Sequence, residues 1–449
     1  MHDTEHDQDD RTDPDPLGGS ASEDSSRTDE HPRRGLSRRG LLGLFGAGAG
    51  GIALGAGGAL ATTAFTAGGS SSSDTYDFHG EHQSGIVTPA QDRLHFAAYT
   101  MTSSATRTDL IELLQDWSFA ANRLMQGLEV SETGAFGAPL MPPDDTGEAV
   151  GLPASSLTLT FGFGPSLFQD AEGNDRFGIA SRKPADLEDL PGFRGDLIDE
   201  AISGGDLCIQ ACADDPQVAV HAIRNLTRIA FGRAQIRWSQ LGFGRTSSTS
   251  QSQDTPRNLF GFKDGTANLK SEDTAAVNEH VWVSGSDQSW INGGSYLVAR
   301  KIRMTLETWD RASLNEQETI TGRDKKEGAP LSGGTEFTDP DFASTGSDGS
   351  PLIPHDSHVY LANPEQNSGA RMLRRGYNYV DGTTELGQLD AGLVFICFQS
   401  APQTFINVQN RLAQNDAMNE YIRHISSAVF AVPPGVTTSD GYIGQGLFS

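Results

Sequence analysis

Residues 207–241 read LCIQACADDPQVAVHAIRNLTRIAFGRAQIRWSQL, and this stretch decides the fold. Residues 207–213 alternate as a strand does. Asp215 followed by Pro216 marks a helix start. The aspartate side chain accepts from first-turn N–H groups, and proline removes a donor that would have no partner there. Ala219, Ala222, Ile223, Leu226 and Ile229 then recur on one helical face. Residues 234–241 (AQIRWSQL) return to strand alternation. The stretch is strand, helix, strand, and the apolar face of the helix can cover a sheet.

Upstream the same grammar recurs. Residues 93–101 (RLHFAAYTM) form an expected strand. Thr106 with Asp109 three residues on makes a capping box. Leu110, Leu114, Trp117, Ala121 and Leu124 follow at helical spacing, and residues 157–163 (LTLTFGF) alternate as a strand. The order β-α-β-β-α-β is the ferredoxin-like arrangement, an antiparallel four-stranded sheet with helices on one side. A second, similar half follows. It has a strand at 295–304, a helical stretch at 306–321 and an apolar strand at 392–399 (GLVFICFQ). Helical patterns at 403–413 and 418–425 and a strand at 428–432 close it. The expected fold is α+β, two ferredoxin-like domains at 68–256 and 257–449, with a ligand cleft between a sheet and its helices. Polar loops cover 246–257 and 322–354, and long ordered loops of the second kind often cover a site.

The front of the chain reads as an address. Residues 1–32 are polar and acidic, a composition that does not fold. Ser37-Arg38-Arg39-Gly40-Leu41-Leu42 then leads into an uncharged Gly/Ala/Leu run to Ala67. This is the pattern of a twin-arginine signal, with small residues suited to cleavage between Ala61 and Ala67. The rival reading is a retained membrane anchor, for which the run is long enough. Residues 1–67 are therefore assigned as leader and signal, and the translocase becomes an expected partner. The expected destination is periplasm, cell surface or exterior. The chain carries 33 basic and 59 acidic residues, a net charge of -26. Binding phosphates needs a basic face, so with this balance no nucleic acid is expected as a partner. Cys208, Cys212 and Cys397 form no disulfide framework. Cys208 and Cys212 would lie on one strand face about 13 Å apart, too far to bridge.

Three stretches carry candidate chemistry. GFKDGTAN (261–268) sets an aspartate between glycines, where backbone can approach a ligand or simply turn. DSHVYLANP (356–364) holds one of 11 histidines, with His355 just before it. RMLRRGYNY (371–379) places arginines beside aromatics, ahead of the apolar strand.

Together these stretches are similar to those of the dye-decolorizing peroxidase family, and within it to the exported deferrochelatase/peroxidase type. The resemblance runs from GEHQSGIVTPAQ at Gly80 through LTLTFGFGPSLF at Leu157 and GGDLCIQACADDPQVAVHAIRNL at Gly204. It continues through GFKDGTAN, ETWDRASLNEQETITGRDKKEGAPL at Glu307, DSHVYLANP and MLRRGYNY. It implies two ferredoxin-like domains enclosing one haem b per chain. His358 would be the proximal iron ligand, Asp264 the distal acid/base and Arg374 the distal arginine. A ligating imidazole usually donates its other N–H to a carboxylate. Glu420 is the expected partner here, with Asp416 the alternative. Tyr360 departs from the family pattern, which carries arginine there. The implied activity is oxidation of phenols and dyes by H2O2. The rival is iron release from haem with the porphyrin intact, a deferrochelatase. Self-association is common in the family, which brings a homo-oligomer into view. Tyr377, Tyr379 and Trp309 are either electron relays or core.

Overall fold

The computed structural model describes residues 74–137 and 139–449. The stretches expected to form an acidic leader and a twin-arginine signal lie outside them. The described residues belong to one compact unit.

The first half contains strands β1 (Arg93–Met101), β2 (Thr158–Phe163), β3 (Leu207–Ala213) and β4 (Ala234–Arg245). Two long helices, Arg107–Leu124 and Pro216–Ile229, complete it. Thr106 and Asp109 form the expected capping box. The Asp215 side chain accepts from Gln217 and Val218 N–H, with Pro216 opening the helix. The sheet order is β2-β3-β1-β4, all antiparallel. The second half repeats it with β5 (Ser295–Met304), β6 (Leu373–Arg374), β7 (Tyr377–Thr383), β8 (Leu389–Gln399) and β9 (Ile422–Val432). β6 and β7 pair with β8 in one register, Leu373 with Phe398 and Tyr377 with Val394. They are one strand interrupted at Arg375-Gly376. The order β9-β5-β8-(β6, β7) matches that of the first half. Both halves are ferredoxin-like.

The two sheets join edge to edge, β2 to β9 and β4 to β7. Because β5 pairs with both β8 and β9, the pairings close into a barrel. Closure explains why β3 is buried along its whole length. Cys208 and Cys212 point inward with Phe96, Trp238, Tyr377, Tyr379 and Phe430. Ile209 and Ala211 point outward against the helices that carry Trp117 and Leu226. All three cysteines are free and buried, as expected. Tyr377 and Tyr379 are fully buried in the barrel, and Trp309 in a cluster with Phe260 and Tyr421, so all three are core.

Two expectations in the second half need correction. The helical stretch at 306–321 is broken into Leu306–Trp309 and Leu314–Thr321. Ser313 caps the second helix by accepting from Glu316 N–H at 3.2 Å, which the sequence favours over continuing the first. The stretch at 418–425 is not a helix. A short 3-10 turn, Ala417–Glu420, passes directly into β9. β9 is longer than expected because residues from Ile422 onward pair with β5, Ile422 opposite Met304 and Arg423 opposite Arg303.

Candidate active site

The second-half sheet turns one face toward the helix Pro402–Asn415, and a cavity of about 1010 Å³ lies between them. Ile302, Met304, Leu393 and Phe395 line it from the sheet, and Phe405, Val408 and Leu412 from the helix. Asp264, Arg374 and His358 all reach this cavity, so the structure brings the three predicted residues together.

His358 opens the short helix His358–Ala362. Its Nδ1 donates to Oδ2 of Asp416 at 2.7 Å. Asp416 follows the last residue of the helix Pro402–Asn415, and its side chain is 1% exposed. Its Oδ1 accepts from Met418 N–H at 2.9 Å, so the carboxylate is held from both sides. The bond fixes the tautomer and leaves the Nε2 lone pair free to bind a metal. Burial alone would lower the His358 pKa, but the Asp416 carboxylate outweighs it and the net shift is upward. Glu420, the expected partner, is exposed on the 3-10 turn. The correction has a geometric cause: the chain turns right after Asp416, which points that residue inward and Glu420 out. His355 is exposed and stacked on Tyr360, with ring centres 4.4 Å apart, and does not line the cavity.

Asp264 sits in a tight loop whose N–H donates to Pro256 O at 2.9 Å. Gly265 follows with φ +84°, and a Cβ there would lie 2.9 Å from Ser247 Cα, so only glycine fits the turn. Asp264 Oδ1 accepts from Arg374 Nη1 at 2.8 Å, and Oδ2 from Asn258 Nδ2 at 3.4 Å. Both side chains are partly exposed to the cavity, Arg374 at 29% and Asp264 at 16%. An acceptor and a fixed guanidinium thus face the space that His358 also reaches.

The loop at 322–354 does cover the site. Phe337, Thr338, Asp339 and Pro340 line the cavity. Glu336 bonds to Lys263 and, at 3.2 Å, to the Thr266 hydroxyl, which ties the cover to the loop carrying Asp264. Sequence reasoning missed Glu336, Asn258 and the role of Asn268. Only Asn268 left a signal, as the last residue of GFKDGTAN.

The residues present fit a haem. Among the described residues no group of three or more His, Cys, Asp or Glu could hold a bare metal ion. A single carboxylate-backed imidazole suits an iron whose other ligands come from a macrocycle. The apolar walls suit a flat porphyrin.

Comparison with known proteins gives consistent findings. The sequence profile of the Dyp-type peroxidase N-terminal domain matches residues 83–244, and that of the C-terminal domain matches residues 255–437. The chain is 38% identical over 377 residues to the deferrochelatase of Escherichia coli strain K12, covering 82% of this chain and 86% of the relative. It is 37% identical over 376 residues to that of Yersinia pestis, covering 82% and 84%. Among solved structures it is similar to a DyP-type peroxidase from Streptomyces coelicolor, with TM-score 0.75 and 40% identity over 83% of this chain and 96% of that one. A DyP-type peroxidase from Cellulomonas bogoriensis gives TM-score 0.74 and 35% identity over 84% and 99%.

Proposed function

Because the chain belongs to the Dyp-type peroxidase family and is a haem peroxidase, we propose that it uses H2O2 to oxidise organic donors such as phenols and dyes after twin-arginine export. The observation that carries this reading is the Asp264–Arg374 pair, bonded at 2.8 Å and facing the cavity that His358 enters.

His358 and the apolar walls would hold haem b, which when bound supplies the iron that accepts peroxide and stores its oxidising equivalents. Asp264 takes a proton from the near oxygen of H2O2 and returns it to the far one, which then leaves as water. Arg374 stabilises the negative charge that grows on the departing oxygen, and it is already in place before the reaction. Asp416 keeps His358 oriented, and Asn258 steadies the second Asp264 oxygen. The covering loop limits water around the pair. Loss of a positioned acid/base group costs roughly 10²–10⁴-fold, and loss of a fixed charge donor about 10²–10³-fold.

The test is a haem titration of the mature protein followed by stopped-flow mixing with one equivalent of H2O2. Expected is tight haem binding that His358→Ala abolishes, and a fast peroxide-driven Soret change that Asp264→Asn slows at least about 100-fold. Haem binding that survives His358→Ala would move the ligand elsewhere. A second reading, release of iron from haem, draws on the deferrochelatase relatives. It predicts fluorescent iron-free porphyrin as a product of the same incubation.

A further inference from the structure

Arg374 lies on a two-residue strand, and its position depends on what holds the free edge of that strand. β4 pairs with β7 as far as Arg245 opposite Tyr377, and Thr246 N–H still donates to Gly376 O at 2.8 Å. The chain then leaves the sheet. On the other side, Arg375 N–H donates to Ile396 O of β8 at 2.8 Å. Neighbouring residues of a strand use opposite edges, so the Arg374 N–H and C=O face the edge that β4 has vacated.

Asn268 fills that vacancy. Its Oδ1 accepts from Arg374 N–H at 2.7 Å, and its Nδ2 donates to Arg374 O at 2.8 Å. Nδ2 also donates to Ser248 O at 3.0 Å, and Asn268 is 6% exposed. One side-chain amide thus satisfies both backbone groups of Arg374, as a neighbouring strand would. Asn268 N–H in turn bonds to Gly265 O at 3.0 Å, within the loop that carries Asp264. The loop therefore grips Arg374 twice, by Asp264 at the guanidinium and by Asn268 at the peptide.

We propose that Asn268 is a positioning residue, setting the Arg374 backbone so that the guanidinium meets Asp264 and the departing oxygen. This rests on the peroxidase reading of Arg374. An isosteric aspartate at 268 would keep the acceptor and lose the donor. Alanine would lose both.

The experiment compares wild type, Asn268→Ala, Asn268→Asp, Arg374→Leu and the Asn268→Ala/Arg374→Leu double variant. Each is read by haem affinity, by the rate constant with H2O2, and by hydrogen exchange at the Arg374 amide with and without haem. Asn268→Ala should slow the peroxide step by about tenfold or more through misplacement, speed exchange at Arg374, and leave haem affinity within about twofold. Asn268→Asp, which sets a carboxylate oxygen against the Arg374 and Ser248 carbonyls, should lose at least as much as alanine. In the Arg374→Leu background Asn268→Ala should add no further loss. Additive losses in the double variant would overturn the proposal, as would a wild-type peroxide rate in either Asn268 variant. A wild-type rate in Arg374→Leu would instead sink the underlying reading of Arg374.

Discussion

His358 has one bonded carboxylate, and the energetics of the site turn on which acid supplies it. Asp416 is 1% exposed and accepts at 2.7 Å, while Glu420 faces solvent. Asp416→Asn keeps the volume and an acceptor but removes the charge that makes the imidazole electron-rich. Haem should bind roughly 10–100-fold more weakly, and the iron reduction potential should rise, as a haem titration and spectroelectrochemistry would measure. Glu420→Gln should leave both quantities unchanged, and a loss there would restore the original expectation. His358, Asp264 and Arg374, weak signals singly, were named together because the stretches that carry them jointly resemble one family, and the structure sets all three on one cavity. The partner of His358 was not legible, because Asp416 and Glu420 are equivalent on paper. They separate only through the direction of a turn that no local spacing encodes.

The elements around the site differ in how much the sequence revealed, and the reasons are physical. β1, β3 and β5 were read to the residue, because each is bounded by caps, turns or charges. β7 went unread, because only Tyr377, Asn378 and Tyr379 are buried and Val380–Thr383 run out into solvent with no alternation to find. β9 was taken for helix at its start, because Ile422 and Ile425 also fit helical spacing. Pairing with β5 decides the matter, and pairing is nonlocal. The Asp264 loop shows the opposite case, a local rule that can be tested. Gly265→Ala places a methyl 2.9 Å from Ser247 Cα at a φ of +84°. A strained backbone of this kind costs on the order of 1–3 kcal/mol. The melting temperature should fall, and the peroxide rate should fall with it because Asp264 moves. Gly151, with φ +86° and open space around its missing Cβ, is the control. Gly151→Ala should lower the melting temperature and leave the peroxide rate alone.

At the scale of the molecule, duplication was legible and closure was not. One β-α-β-β-α-β order and a similar second half, read with one strand fewer, announce two similar sheets. Whether the sheets face each other or join depends on short seams, such as the single β2–β9 pair of Phe163 with Ala431. Closure turns one face of each sheet into the barrel, and what packs on the other face buries histidines there that would otherwise titrate normally. His95 on β1 has its pKa lowered to about 4 by burial, and His424 on β9 to about 3 by burial and then by the Arg300 charge. In the unfolded chain both would take up a proton near pH 6.5. Between about pH 6.5 and 4 the unfolded state therefore binds protons that the native state refuses, and stability falls as pH falls through that window. For His95 alone the loss amounts to at most roughly 3 kcal/mol by pH 4. Its Nδ1 is buried without a partner. Melting temperatures of the wild type should drop steadily from pH 7 to 4.5. In His95→Gln, which cannot titrate, that drop should be shallower, whatever the variant does to stability at pH 7. A slope identical to that of the wild type would mean that His95 takes up its proton in the native state, and the cover over the outer face of β1 would then be incomplete.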